Sequence, residues 1–81
     1  MQTDLDKLKA AFGEALPLPS SVNYDEIEYG KTDGWDSVAH MALIAQIESA
    51  FDIMLDTDDV VGMSSFPKSK EILGRYGVKL E

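Results

Sequence analysis

From Ser37 to Phe51 the chain reads SVAHMALIAQIESAF, and apolar residues return there at three- and four-residue steps. Met41, Ile44 and Ile47, flanked by Val38 and Phe51, form one stripe with Leu43 beside it, the spacing of a helix face. A helix with such a stripe must bury it against other elements. The chain has 81 residues, room for one domain with a modest core.

The flanking segments repeat the pattern. Leu5, Leu8, Phe12 and Leu16 predict a helix over about Thr3 to Leu16, with Thr3 or Asp4 as its cap and Pro17 and Pro19 as its stop. Residues 17 to 36, PLPSSVNYDEIEYGKTDGWD, read as a long ordered loop with one short helical turn, pinned by Val22, Tyr24, Ile27 and Tyr29. Asp33 and Gly34 are turn residues, so Ser37 falls at the start of the second helix. Asp52 ends that helix. Asp56 or Thr57 then caps a short helix through Val61, stopped by Gly62. Ser64 or Ser65 opens the last helix, Pro67 sits in its first turn, and Ile72, Leu73 and Tyr76 line its apolar face before Gly77. No strand-like alternation persists. The expectation is an all-α fold over a single domain, residues 1–81. It is a small four-helix bundle of three main helices and one short one, with a long loop between helices 1 and 2. Leu43, Ile47 and Phe51 are expected to face the first and last helices.

Charge and composition narrow the function. Acids outnumber bases by 15 to 7, a formal net charge of −8. Nucleic-acid binding needs a basic footprint, so that class is excluded. There are no cysteines, hence no disulfides and no protein thiolate chemistry. The N-terminus lacks a basic region followed by an apolar run, and no apolar stretch approaches a membrane span. The expectation is a soluble cytoplasmic protein.

Three chemistries deserve weighing. Ser37 and His40 are three apart on a helix, within reach of one another, but no nucleophile elbow or orienting group accompanies them. His40 is expected at the surface. The DTDD run at 56–59 fails as an EF-hand, because Val61 and Pro67 stand where Gly and Glu are required. Those acids suit a helix N-terminus instead, and no metal site is expected. Ser37 itself has two readings: an ordinary helix cap, or a point for a phosphate ester, since a helix N-terminus presents free N–H groups and partial positive charge.

Read as a unit, GWDSVAHMALIAQIESAFDIMLDTDDVVGMSSF resembles the acyl carrier protein family. That family carries an Asp-Ser-Leu motif at the start of its second helix, matched here by Asp36, Ser37 and Val38. The resemblance continues through ALIAQIESAFDIML, the acidic turn DTDDV and the Ser-Ser-Phe that opens the last helix, covering most of residues 33 to 76. It implies that Ser37 receives phosphopantetheine (4'-phosphopantetheine, from coenzyme A) from a phosphopantetheinyl transferase. The arm then holds acyl groups as thioesters, and the protein serves acyl-loading and acyl-transfer enzymes without catalysis of its own. Asp36 would help position the serine and the transferase's metal. Val38 and Met41 would meet partners, and Met41, Ile44 and Ile47 are candidates for lining an acyl chain. The resemblance also implies a monomer. An aminoacyl or peptidyl carrier shares the same serine, and the net charge favours the acyl branch. Outside the carriers stands an unmodified helical interaction module.

Two departures matter. Val38 replaces the usual Leu after the serine, and Glu48 is the only acid between Ser37 and Phe51. Ala39, His40, Ala42 and Gln46 are expected to occupy the surface where housekeeping fatty-acid carriers place acids. That points to a specialised stand-alone carrier.

Overall fold

A computed structural model describes residues 3–18, 21–78 and 80. Pro19, read above as part of the first helix stop, lies outside the described residues, as do both ends of the 1–81 domain. The fold is a small four-helix bundle: α1 (Asp4–Ala15), α2 (Ser37–Phe51), the short α3 (Thr57–Gly62) and α4 (Phe66–Gly74). A 3-10 turn spans Tyr24–Glu26. The described residues hold no strand, only an isolated antiparallel bridge between Glu28 and Ser65.

Local chemistry sets the helix limits. Thr3 caps α1 in a reciprocal box with Asp6: Thr3 Oγ1 accepts from Asp6 N–H at 3.1 Å, and Asp6 Oδ2 accepts from Thr3 N–H at 3.4 Å. Leu16 turns extended, and Pro17 cannot continue the helix. Asp36 caps α2, and Asp52 closes it with φ 53°, a left-handed conformation that Asp tolerates better than most residues. Ser65 caps α4, accepting from Lys68 N–H at 3.2 Å. Beyond Gly74 the chain turns once more through Gly77 at φ 86°, where Val78 N–H bonds to Leu73 C=O and Gly77 N–H to Gly74 C=O, both at 3.2 Å. That pair of bonds is the Schellman closure.

α1 packs along α2. Leu8, Phe12 and Leu16 meet Leu43, Ile44 and Ile47, and Met63, Phe66, Ile72 and Leu73 complete the core. At its centre Phe12 lies edge-on to Trp35 (5.5 Å between centroids) and to Phe66 (5.1 Å), geometries that suit the ring quadrupoles.

α2 corrects the expected stripe. Its buried residues are His40, Leu43, Ile44 and Ile47, an i, i+3, i+4, i+7 face. Met41 and Val38 are 60% and 79% exposed, so they sit off that face. Phe51 is only partly buried at the rim of the core, because α2 ends there and leaves one side of the ring uncovered. Truncating it therefore falls below the roughly 3–5 kcal/mol of a fully buried Phe.

α3 contributes no fully buried residue and is held by polar contacts on its α4 side. The Tyr76 hydroxyl donates to Asp59 Oδ2 at 2.6 Å and accepts from Asp56 N–H at 3.2 Å, and Arg75 pairs with Asp59 at 3.3 Å. The hydrogen bond to the Asp59 carboxylate raises the Tyr76 pKa above its usual 10.0. A raised folded-state pKa means the protonated phenol stabilises the fold below pH 10 and that this stabilisation fades as pH climbs through the folded value. Wild-type protein is accordingly expected to lose more stability than Tyr76→Phe when pH rises above 10, measured by urea unfolding at matched pH values. Parallel losses in the two proteins refute the contact.

Candidate functional site

The residues before α2 are shaped by a tight turn. Glu28 N–H donates to Thr32 Oγ1 at 2.9 Å, Thr32 N–H to Glu28 C=O at 2.9 Å, and Trp35 N–H to Thr32 C=O at 3.1 Å. Gly34 adopts φ 84°, and a Cβ there would overlap the Pro17 ring, so the close approach of the α1 exit to this turn requires glycine. Trp35 is thereby driven into the core, 1% exposed.

Asp36 then begins the helix. Its Oδ1 accepts from Ala39 N–H at 2.9 Å, which satisfies one of the orphan donors of the first turn. Ser37 follows at the first helical position. It is exposed, and its hydroxyl makes no hydrogen bond to another described residue. The capping reading of Ser37 is thus replaced: Asp36 performs that task, and the serine hydroxyl is free at the positive end of a 15-residue helix.

Beside Ser37 lies a cavity of about 290 Å³, walled by Tyr29, His40, Met41, Val60, Val61 and Met63. Tyr29, Met41 and Val61 are 42%, 60% and 76% exposed, and Val38, the residue after the serine, is 79% exposed. Exposed apolar side chains grouped around one spot mark a binding surface more than scattered ones do. Of the acyl-lining candidates, Met41 reaches this cavity. Ile44 and Ile47 do not: they are 4% and 0% exposed, turned into the core against α1. The rest of the wall comes from the loop and from α3, which no periodicity within α2 can reveal.

His40 also departs from expectation. It is buried, 9% exposed. Its Nδ1 accepts from the Trp35 indole N–H at 3.0 Å, and its Nε2 lies 2.7 Å from Val60 C=O. An indole N–H only donates and a carbonyl only accepts, so the ring is the neutral tautomer with its proton on Nε2. Both ring nitrogens are occupied, which leaves no lone pair to serve Ser37 as a base. The ring stacks near Trp35 (6.0 Å, 24°) and meets Tyr29 edge-on at 5.3 Å. The signal that finds this role is a matching one: a buried Trp seeks a partner for its N–H, and His40 is the chain's single histidine, five residues on.

The acids of α2 and of the DTDD run that make contacts are turned away from Ser37. Asp56 and Asp59 hold Tyr76 and Arg75, and Glu48 Oε2 accepts from Leu55 N–H at 2.9 Å. Among the described residues no three His, Asp or Glu side chains gather to hold a metal ion, and no helix is long and apolar enough to cross a membrane. Comparison with known protein families, curated proteins and solved structures returns no match.

Because His40 satisfies two buried partners at once, His40→Ala is expected to cost on the order of 3 kcal/mol, from two orphaned groups and a cavity. His40→Gln, which keeps one acceptor and one donor, is expected to recover part of this. Urea unfolding gives the energies, and the indole N–H proton resonance reports the bond. A cost under about 0.5 kcal/mol for His40→Ala, the level of a neutral surface change, rules out the bridge.

Proposed function

We propose that this chain is an acyl carrier protein, with Ser37 as the attachment point for phosphopantetheine. One observation carries the reading: the Ser37 hydroxyl is exposed, relieved of capping by Asp36, and sits on the rim of an apolar cavity. A phosphodiester there would lie at a helix N-terminus, where N–H groups and the helix dipole favour an anion. Asp36 is exposed beside it, and in this reading it meets the transferase. When attached, the arm supplies the thiol that holds an acyl group as a thioester, chemistry the cysteine-free chain cannot offer itself. The protein performs no catalysis; it presents cargo to acyl-loading and acyl-transfer enzymes. The apolar wall of Met41, Val60, Val61 and Met63 favours acyl over aminoacyl or peptidyl cargo. Its volume, just under the range of about 300–1,000 Å³ usual for ligand pockets, favours short chains. The idle hydroxyl is what an unmodified interaction module leaves unexplained.

Coenzyme A, magnesium and a broad-specificity phosphopantetheinyl transferase are expected to add one phosphopantetheine to the intact protein, read by mass. Ser37→Ala is expected to abolish the addition while changing stability by no more than about 0.5 kcal/mol, since this serine caps nothing. Absence of modification in the parent, or its survival in Ser37→Ala, defeats the carrier reading.

The surface of α2 supports a specialised partner. Its exposed side chains after Ser37 are Val38, Met41, Ala42, Ala45, Gln46, Ser49 and Ala50, none of them charged. Glu48 is partly buried and already bonded to Leu55 N–H. Ala39, expected on this surface, is partly buried against the core, so an acid there would be desolvated; Ala42 and Gln46 are free to take one. Malonyl transfer from a general malonyl transferase to holo protein is therefore expected to be slow and nearly independent of salt. Ala42→Glu with Gln46→Glu is expected to speed it several-fold at low ionic strength, where exposed charges steer encounter. A parent that already matches a housekeeping carrier, or a double variant without a low-salt gain, contradicts this account.

A further inference from the structure

A second surface stands apart from the Ser37 cavity and shares no residue with it. The first turns of α1, residues 21–25 and the start of α4 enclose a groove of about 460 Å³. Tyr24 and Phe66 lie against one another in it, 5.0 Å between centroids, with Leu5 and Val22 alongside. Two cations converge there. Lys9 Nζ lies 5.6 Å from the Tyr24 ring centroid and Lys70 Nζ 5.5 Å from that of Phe66, both within cation–π range.

The use of these lysines is unusual in a chain of net charge −8. Among the described residues, Lys7, Lys31, Lys68 and Arg75 each pair with an acid. Lys9 and Lys70 pair with no described acid, although acids are in excess. The rings hold each ammonium near the groove and take none of its N–H donors, so both remain able to bind an anion. Asp25 also lines the groove, leaving its local charge positive by one. At physiological salt the Debye length is about 8 Å, so acids farther than that from the groove are screened, and the two ammonium groups in its wall act on a ligand at contact distance.

We propose that this groove docks an acidic peptide segment of a partner protein. Two carboxylates reach Lys9 and Lys70, and an apolar side chain between them rests on Leu5, Val22 and the Tyr24 ring, which Phe66 supports from beneath. The form of the groove selects a peptide over a small molecule. Phe66 is its only fully buried lining residue, and the others are partly or fully exposed. Small-molecule sites bury about 70–90% of their ligand, which an open groove does not do. The surface is independent of what becomes of Ser37.

The test uses the full ¹⁵N-labelled chain and the peptide acetyl-Glu-Phe-Glu-amide, followed by amide shifts in 0.15 M salt. Saturable shifts are expected at Leu5, Lys9, Val22, Tyr24 and Lys70, and not at Ser37 or Met41. Lys9→Gln with Lys70→Gln is expected to weaken binding at least tenfold, whereas Lys9→Arg with Lys70→Arg retains it. An unshifted Trp35 indole N–H confirms that each variant is folded. The neutral peptide acetyl-Gln-Phe-Gln-amide is expected to give no saturable shift. The proposal is overturned by an absence of saturation, by equal binding of the neutral peptide or by unchanged binding in the Gln variant. Full displacement by equimolar inorganic phosphate reduces the groove to a simple anion site and also overturns it. So do the same shifts on raising protein concentration without peptide, which assign the groove to a second copy.

Discussion

The hydrogen-bonded bridge from Trp35 through His40 to Val60 is the constraint around which the site is organised. A buried indole N–H needs an acceptor, and a short α3 with no fully buried residue needs a tether to α2. One neutral imidazole meets both needs, because it accepts at one nitrogen and donates at the other. The bridge joins three segments: the turn that ends at Trp35, the helix that begins with Ser37, and the short helix that roofs the cavity. In a low-dielectric interior such a network is favourable only when every member is satisfied. Among the described residues no buried side-chain polar atom lacks a partner.

A division of labour between neighbours follows. Asp36 takes the cap, which releases the Ser37 hydroxyl. Gly34 takes the left-handed turn against Pro17, which lets Trp35 enter the core with its indole toward His40. On the far side of α3, Asp56 and Asp59 meet Tyr76 and Arg75, so the acidic run read as a helix N-terminus also anchors that helix to α4. The cavity beside Ser37 is bounded by residues held in place from both directions.

The charges are distributed by the same economy. Glu48, the one acid in α2, folds back on Leu55 N–H, and the open face of that helix is left uncharged. Among the described residues, the two lysines without an acid partner lie over aromatic rings at the opposite end of α1 from the Pro17–Gly34 contact. One surface is thus apolar with a free hydroxyl, and the other sets two ammonium groups beside aromatic rings in a mixed polar and apolar wall. Net charge describes neither.

Helix existence and limits were legible because they are local. Thr3, Ser65 and Gly77 act within four or five residues of themselves through backbone groups that any helix end leaves unpaired. Ser37 was legible as an attachment candidate through its resemblance to carrier sequences, and its place at the head of α2 follows from the turn before it. The buried face of α2 was legible only in part. Leu43, Ile44 and Ile47 were read as inward-facing, but apolar residues occur on nearly every side of that helix, so periodicity alone also placed Met41 and Phe51 with them and left His40 outside. His40 reads as polar and exposed until Trp35 and Val60 are brought to it from outside the helix. The cavity wall depended on tertiary structure as well, since Tyr29, Val60, Val61 and Met63 meet Met41 only when the loop and α3 close over α2. Sequence by itself determined the helices, their approximate limits and the serine at the head of α2, because those rest on interactions a few residues long. Tertiary structure decided which face is core, which residues surround the serine and where unpaired charge remains, because those depend on contacts between residues distant in the chain.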